Sequence, residues 1–247
     1  MVGALRRRAG RDAVVHQSTP GRLVKAVGSV ALAGFVQFVA IAGALFLPSW
    51  TVHYWQAWMF LAVFACAAWL PSVYVQMARP TALQRRMRGG PVAEARTVQK
   101  VVMAVLYGSL AAMCVVSALD HRFGWSSVPA AVSVLGAAVV AAGLAMVVLV
   151  AVQNTYASTT VQVEAGQQVV STGLYLVVRH PMYFGNVLML VGTPPALGSY
   201  WALLFVAPGV LVLISRIRDE ETLLRDELAG YCDYSRRVRY RLVPCLW

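Results

Sequence analysis

Charge is what this chain has least of. Only 13% of its 247 residues are Asp, Glu, Lys or Arg, and the mean hydropathy is +0.65. A soluble domain of this size carries roughly twice that charged fraction. Acidic residues are scarcer still, ten against 21 Lys and Arg, which leaves a net charge of +11. The length would fit one or two soluble domains. The hydropathy argues instead for a single helical membrane domain, because an unpaired backbone group in hydrocarbon costs several kcal/mol. The strict apolar–polar alternation of an outer-membrane strand is missing. The expected fold class is therefore all-α, a polytopic membrane helical bundle.

Other absences narrow the function. There are four cysteines and no CxxC or Cys/His spacing that suggests zinc. Cys66 and Cys114 sit in apolar runs and read as small hydrophobes. Cys232 and Cys245 fall on the expected cytoplasmic side, where disulfides are disfavoured. His16, His53 and His121 form no pattern, so no metal is expected. Residues 1–23 are basic (Arg6, Arg7, Arg8, Arg11, Arg22) and lack both the early apolar core and the small-residue cleavage site of a signal peptide. No long repeat, low-complexity tract or second soluble domain is visible.

What is present is a series of apolar runs. The first spans about Val24 to Leu47, close to the roughly 20 residues that cross hydrocarbon. Pro48-Ser49-Trp50 ends it, and Trp50, Tyr54, Trp55 and Trp58 fit an aromatic belt. The second spans about Trp55 to Gln76 and contains Pro71, a kink site. A basic loop follows, Arg79 to Arg96, with Arg85, Arg86, Arg88 and a Gly89-Gly90-Pro91 turn signal. The third and fourth runs span about Val98–Leu119 and Val128–Val152. Two shorter pieces, about Met182–Thr193 and Ser199–Ile214, flank Thr193-Pro194-Pro195. They are either a tight hairpin crossing twice or one broken element. The organisation expected is a basic tail (1–23), a four-helix transmembrane region (24–152) and a C-terminal functional region (153–247).

With about six crossings, 20 of the 21 Lys and Arg residues fall on one side and only Arg122 opposite. The positive-inside rule then puts both termini in the cytoplasm, in an inner, plasma or ER-type membrane. The charge is explained by topology and anionic headgroups. No nucleic-acid module accompanies it, and none is expected as a partner.

One stretch does not look like membrane. It holds Gly166-Gln167, Gly173-Leu174-Tyr175 and Arg179-His180-Pro181-Met182-Tyr183-Phe184-Gly185. Pro181 suits the first position of a helix, where its missing N–H would be orphaned anyway. His180 would then sit at the cap, beside free N–H groups that favour an anion. Headgroup snorkelling explains an Arg-His pair alone, but not the accompanying glycines, proline and tyrosine. Further on, Arg216, Glu220 and Glu221 continue an apolar run without a break. Arg216 and Glu220 are four apart and share a helix face. A surface ion pair is one reading. A polar pocket beneath the His180 helix is the other, favoured by the cost of charge at the hydrocarbon boundary.

These residues carry a resemblance. Arg179 to Gly185, preceded by Gln167-x-Val169 and Gly173-x-Tyr175, resembles the signature of the isoprenylcysteine carboxyl methyltransferase family and the related phospholipid methyltransferases. Glu220-Glu221, Gly230-Tyr231-x-x-Tyr234, Arg237-Val238 and Leu242-Val243-Pro244 are similar to that family's C-terminal tail. The likeness covers roughly residues 150–247, with a weaker trace at Leu83, Arg85 and Arg86.

The resemblance implies an integral-membrane methyltransferase that uses S-adenosyl-L-methionine. It implies a cytoplasm-facing cofactor pocket made by Gln167, Val169, Tyr175, Arg179, His180, Pro181 and Tyr183, and a methyl-transfer centre at Arg216, Glu220 and Glu221. The Gly-rich loop after a strand that marks soluble dinucleotide-type folds is absent, so such a pocket would be built from helix ends. The implied partners are the lipid bilayer and a lipophilic small-molecule or prenylated-cysteine methyl acceptor. Arg216 favours a carboxylate acceptor; an amine acceptor would need Glu220 or Glu221 as base. Two alternatives stand beside this: a phospholipid or lipid-amine N-methyltransferase, and a non-catalytic membrane scaffold.

Overall fold

The computed structural model describes residues 20–78, 97–154, 156, 163 and 166–247. The expectations for the basic tail up to residue 19 and for the Arg79–Arg96 loop, including Leu83, Arg85 and Arg86, lie outside the described residues.

Every element among the described residues is helical. They are α1 (Pro20–Ser49), α2 (Trp55–Phe64), α3 (Leu70–Ala78), α4 (Thr97–Phe123), α5 (Ala130–Gln153), α6 (Pro181–Ala196), α7 (Val206–Glu227) and α8 (Tyr231–Arg237). Short 3-10 turns occupy Gly173–Leu176 and Trp201–Phe205. Five stretches have the length and hydropathy to cross a bilayer: Val27–Ser49, Trp55–Tyr74, Gln99–Phe123, Ala130–Gln153 and Trp201–Glu227. The polytopic helical bundle expected from hydropathy is present.

Five of the about six expected segments have the length to cross on their own, and α6 is the shorter limb of the last pair. Its 16 residues reach only about 24 Å at the usual rise, short of the roughly 30 Å of hydrocarbon. Pro194 and Pro195 do not separate two pieces either. Both lie inside the last turn of α6. The chain reverses at Leu197–Tyr200, with Leu197 N–H bonded to Thr193 O and Gly198 at φ +73°. The element is thus a hairpin of α6 and α7.

Two local features set the packing. The stretch Ala65–Trp69 between α2 and α3 is a π-helical turn. Pro71 has no N–H and would crowd the carbonyl four residues back, and a wide turn relieves that. Where a kink was expected at Pro71, the helix instead changes its hydrogen-bonding pattern just before it. The second feature joins α5 to α6. Gly136 and Gly143 face Gly192 and Gly185, two pairs at seven-residue spacing. A Cβ on Gly143 would lie 2.5 Å from Gly185 O, and one on Gly185 would lie 2.7 Å from Gly143 O. Only hydrogen fits there, so the backbones approach as small-residue membrane interfaces do. This contact sets the depth of α6: its first turn begins below the end of α5.

The opposite end of the hairpin is tied down by polar groups. Tyr54 Oη donates to Leu197 O, and buried Asp120 accepts from Ser126 and Ser199. The two larger core clusters lie around Leu45, Tyr54, Phe60 and Leu144 and around Met113, Tyr183, Leu190 and Leu213.

Candidate active site

The site grows from the start of α6. Pro181 is its first residue and His180 its cap, as the sequence predicts. The preceding backbone is held in place by the tail: Arg179 N–H bonds Tyr240 O and His180 N–H bonds Arg241 O, both at 2.9 Å. Tyr183, one turn into α6, is buried and points at α7.

There it joins a chain of hydrogen bonds. Tyr183 Oη donates to Glu220 Oε2 at 2.6 Å and accepts from Arg216 Nε at 3.0 Å. Arg216 donates from its other arm to Gln99 Oε1 at 2.8 Å, and Gln99 donates to Asp219. Arg216 and Gln99 are buried. Arg216 and Glu220 thus share a helix face as expected, with a phenol set between them. This is the polar pocket beneath the α6 start, and the surface ion pair does not describe it.

Glu221 behaves differently from the expected catalytic group. It is 1% exposed, and its carboxylate holds the tail. Arg179 Nε lies 2.7 Å from Oε1, and Arg225 and Arg241 each lie 2.9 Å from Oε2. One residue on from Glu220, it points about 100° around the helix and lines neither cavity described below. Arg179 is likewise committed. Its guanidinium bonds Glu221 and the carbonyls of Ser235, Val238 and Arg239, so it reads as a brace for the tail at the edge of the cleft.

Two hollows meet at this network. The first is a cleft bounded by Asn154, Gln167, Val169, Tyr175, His180, Pro181, Tyr183, Glu220, Leu224, Tyr231 and Tyr234, among others. It brings together every residue expected to bind the cofactor. Its lining combines aromatic and apolar side chains with amides and a carboxylate. Tyr231 Oη is buried in its lining without a hydrogen-bond partner, and His180 Nε2 stands 3.4 Å from Glu221 Oε1, an ion-pair contact when the imidazole is protonated. Burial pushes the Tyr231 phenol up, so it stays a donor at neutral pH. Buried polar atoms normally find partners, and the unpaired Tyr231 hydroxyl marks a group suited to a polar ligand. Flat apolar faces, amides, hydroxyls and a carboxylate in one cleft are the donor set that a nucleotide-like ligand with a charged tail would need.

The second hollow is a cavity of about 560 Å³ inside the bundle. Ile41, Phe60, Phe64, Leu110, Cys114, Leu144, Met189 and Leu213 make it apolar. Arg216 lies at its polar end. Met182 and Tyr183 line both hollows. Gln37, Ala40, Tyr107 and Ala111 line the cavity and are exposed on the bundle's flank, so it opens sideways between α1 and α4.

This arrangement, a motif-lined cleft joined to an apolar cavity within a helical bundle, agrees with the comparison to known families. Residues 134–226 match the Isoprenylcysteine carboxyl methyltransferase (ICMT) family. The match begins within α5, earlier than the motif resemblance, and stops before α8. It takes in the α5–α6 glycine contact, the α6 cap, Arg216 and both glutamates. It supports a membrane methyltransferase. A curated relative, the Delta(14)-sterol reductase TM7SF2 of Mus musculus, is 29% identical over 94 residues, 36% of this chain and 22% of the relative. The chain therefore spans about a fifth of that protein's length.

Four residues of the site were not visible in the sequence. Gln99 sits in the first turn of α4, far from any motif and beside Lys100, and nothing in the sequence marked it. Asp219 lies between obvious charges. Asn154 and Gln153 end α5 and brace the strip: Asn154 donates to Tyr175 Oη at 2.9 Å, and Gln153 Oε1 accepts from Leu174 N–H at 3.0 Å. The tail residues Tyr231 and Tyr234 were part of the resemblance without a role; they form one cleft wall, with Tyr234 donating to Tyr175 O at 2.8 Å.

Proposed function

We propose that the protein is an S-adenosylmethionine-dependent membrane methyltransferase that esterifies the carboxylate of a lipophilic acceptor, of the prenylated-cysteine kind or another lipid-soluble acid. The observation that carries this is the double role of Tyr183, which lines both the polar cleft and the apolar cavity. A water-soluble donor and a greasy acceptor need such a meeting point.

In this reading Gln167, Val169, Tyr175, His180, Pro181 and Tyr183 hold the cofactor, with Tyr231 and Tyr234 from the tail. His180 and the first N–H groups of α6 take its carboxylate. When bound, S-adenosylmethionine supplies an electrophilic methyl group on a cationic sulfur. The chain supplies alignment and dryness, worth up to about 7–11 kcal/mol when the reacting atoms are well placed. Arg216 holds the acceptor carboxylate. Tyr183 and Gln99 fix the guanidinium, and Glu220 fixes Tyr183. The apolar walls keep water out. A carboxylate is already ionised, so no base is required. An amine acceptor is the competing reading; Glu220, at the cleft, would then take the proton. The lysine and arginine distribution favours a cytoplasmic site and cytoplasmic termini, and the division into tail, four-helix region and C-terminal methyltransferase region follows from it.

The test is saturable binding of S-adenosylhomocysteine to the purified protein, weakened at least tenfold in His180→Ala. Absence of saturable binding overturns the proposal and favours a scaffold.

A further inference from the structure

Gln99 is fully buried in the first turn of α4 and lines neither hollow. It bonds two charged residues of α7 at once. Its Oε1 accepts from Arg216 Nη1 at 2.8 Å, and its Nε2 donates to Asp219 Oδ2 at 2.5 Å. The chemistry of the partners leaves the carboxamide one orientation, because a guanidinium only donates and a carboxylate only accepts. Turned over, the amide would aim N–H groups at the guanidinium and its oxygen at the carboxylate, and both bonds would be lost in a buried place. Asp219 therefore decides which end of Gln99 meets Arg216. Asp219 is half-buried and also lines neither hollow. Its hydrogen-bonded line to the cavity runs through Gln99 to Arg216, the residue at the cavity's polar end. What reaches the guanidinium along this line is a neutral oxygen, and the Tyr183 hydroxyl presents another to Nε. Such acceptors fix the plane of a guanidinium while leaving its charge in place; a carboxylate in the position of the Gln99 amide would offset that charge as a buried ion pair. A guanidinium held in one plane is preorganised for two-pronged binding of a carboxylate.

We propose that Asp219 is a positioning residue: by orienting the carboxamide of Gln99 it locks the Arg216 guanidinium in the plane that receives the acceptor's carboxylate. The inference rests on the acceptor reading proposed above. It adds a residue that lines neither the cleft nor the cavity and that acts only through Gln99. Two groups that work as one unit lose their effect together, so removing both should cost no more than removing the one that touches Arg216.

Two tritiated probes differ only in the anion: N-acetyl-S-farnesylcysteine and its methyl ester. Their dissociation constants are measured on the purified protein with no methyl donor added, and the ratio of ester to acid is the readout. A merely structural role moves both constants together and leaves the ratio alone. The wild type is expected to favour the acid by at least about tenfold, the worth of a hydrogen bond to a charged group. Gln99→Met and Asp219→Ala should each lower that preference by about three- to tenfold, and the double variant should lose no more than Gln99→Met. Asp219→Glu, which keeps a carboxylate, should retain most of the preference. If Asp219→Ala does not fold, Asp219→Asn supplies the ratio, with a smaller loss because its amide oxygen is a weaker acceptor. A wild-type ratio in the Asp219 variant, or losses that add in the double variant, overturns the inference and leaves Arg216 as the carboxylate's partner. A wild type that binds acid and ester alike sinks the carboxylate reading itself, and this inference with it.

Discussion

Arg216 Nε donates to Tyr183 Oη at 3.0 Å, across the boundary between α7 and α6. The same phenol donates to Glu220. A cation at the cavity and an anion at the cleft are therefore held in register by one hydroxyl. Removing it should cost alignment far more than binding. Tyr183→Phe is expected to lower the methyl-transfer rate by about 10²-fold, in line with the loss of one preorganised group. S-Adenosylhomocysteine affinity should change by less than about threefold. Single-turnover kinetics with a labelled methyl group separates the two; equal loss of rate and affinity would contradict the positioning role.

The neighbouring glutamates should part company. Glu220→Gln leaves the tail anchored, so the protein should fold, bind S-adenosylhomocysteine and transfer methyl slowly. Glu221→Gln removes the anion shared by Arg179, Arg225 and Arg241. Breaking a buried ion cluster costs about 3–5 kcal/mol, and the tail from Leu228 onward should become accessible to protease. Limited proteolysis of both variants decides it. A protected tail in Glu221→Gln would show that the cluster is not the anchor.

The glycine contacts make a sharper stability test. Gly185→Ala places a methyl 2.7 Å from Gly143 O and forces α5 and α6 apart. Thermal unfolding should shift down by several degrees, and the depth of Tyr183 with it. Gly108, in α4, has nothing within 4 Å of an added Cβ. Gly108→Ala should be neutral or stabilising by up to about 1 kcal/mol, because alanine loses less backbone entropy in a helix. Equal effects of the two substitutions would rule out close helix approach as the reason for Gly185.

The cap and the paired hollows could be read from the chain to different extents. Pro181 after His180, and the charges that continue the apolar run at Arg216, announced the start of α6 and the unbroken α7. Those are local signals: a ring that fixes φ, and an i,i+4 spacing. The apolar runs announced the bundle. What stayed hidden depends on neighbours distant in sequence. Nothing local to Gln99 says that it will meet Arg216 more than a hundred residues later. Glu220 and Glu221 look equivalent until the rotation of α7 sends one to the cleft and the other to three arginines. Pro194 and Pro195 suggested a break, but both sit in the last turn of α6 and their carbonyls accept from the N–H groups of Ser199 and Gly198 as the chain reverses. The cavity itself is a property of packing, and the hydrophobic residues that line it read like any other core.

The central claim is that a cofactor in the cleft reacts with a lipophilic acid in the cavity. The direct measurement is incubation of the purified protein in lipid nanodiscs with methyl-labelled S-adenosylmethionine and N-acetyl-S-farnesylcysteine, followed by mild base. The expected result is label in the organic phase that base releases as methanol, and its loss in Arg216→Ala. Label that resists base, or none above the Arg216→Ala background, would contradict the carboxylate ester.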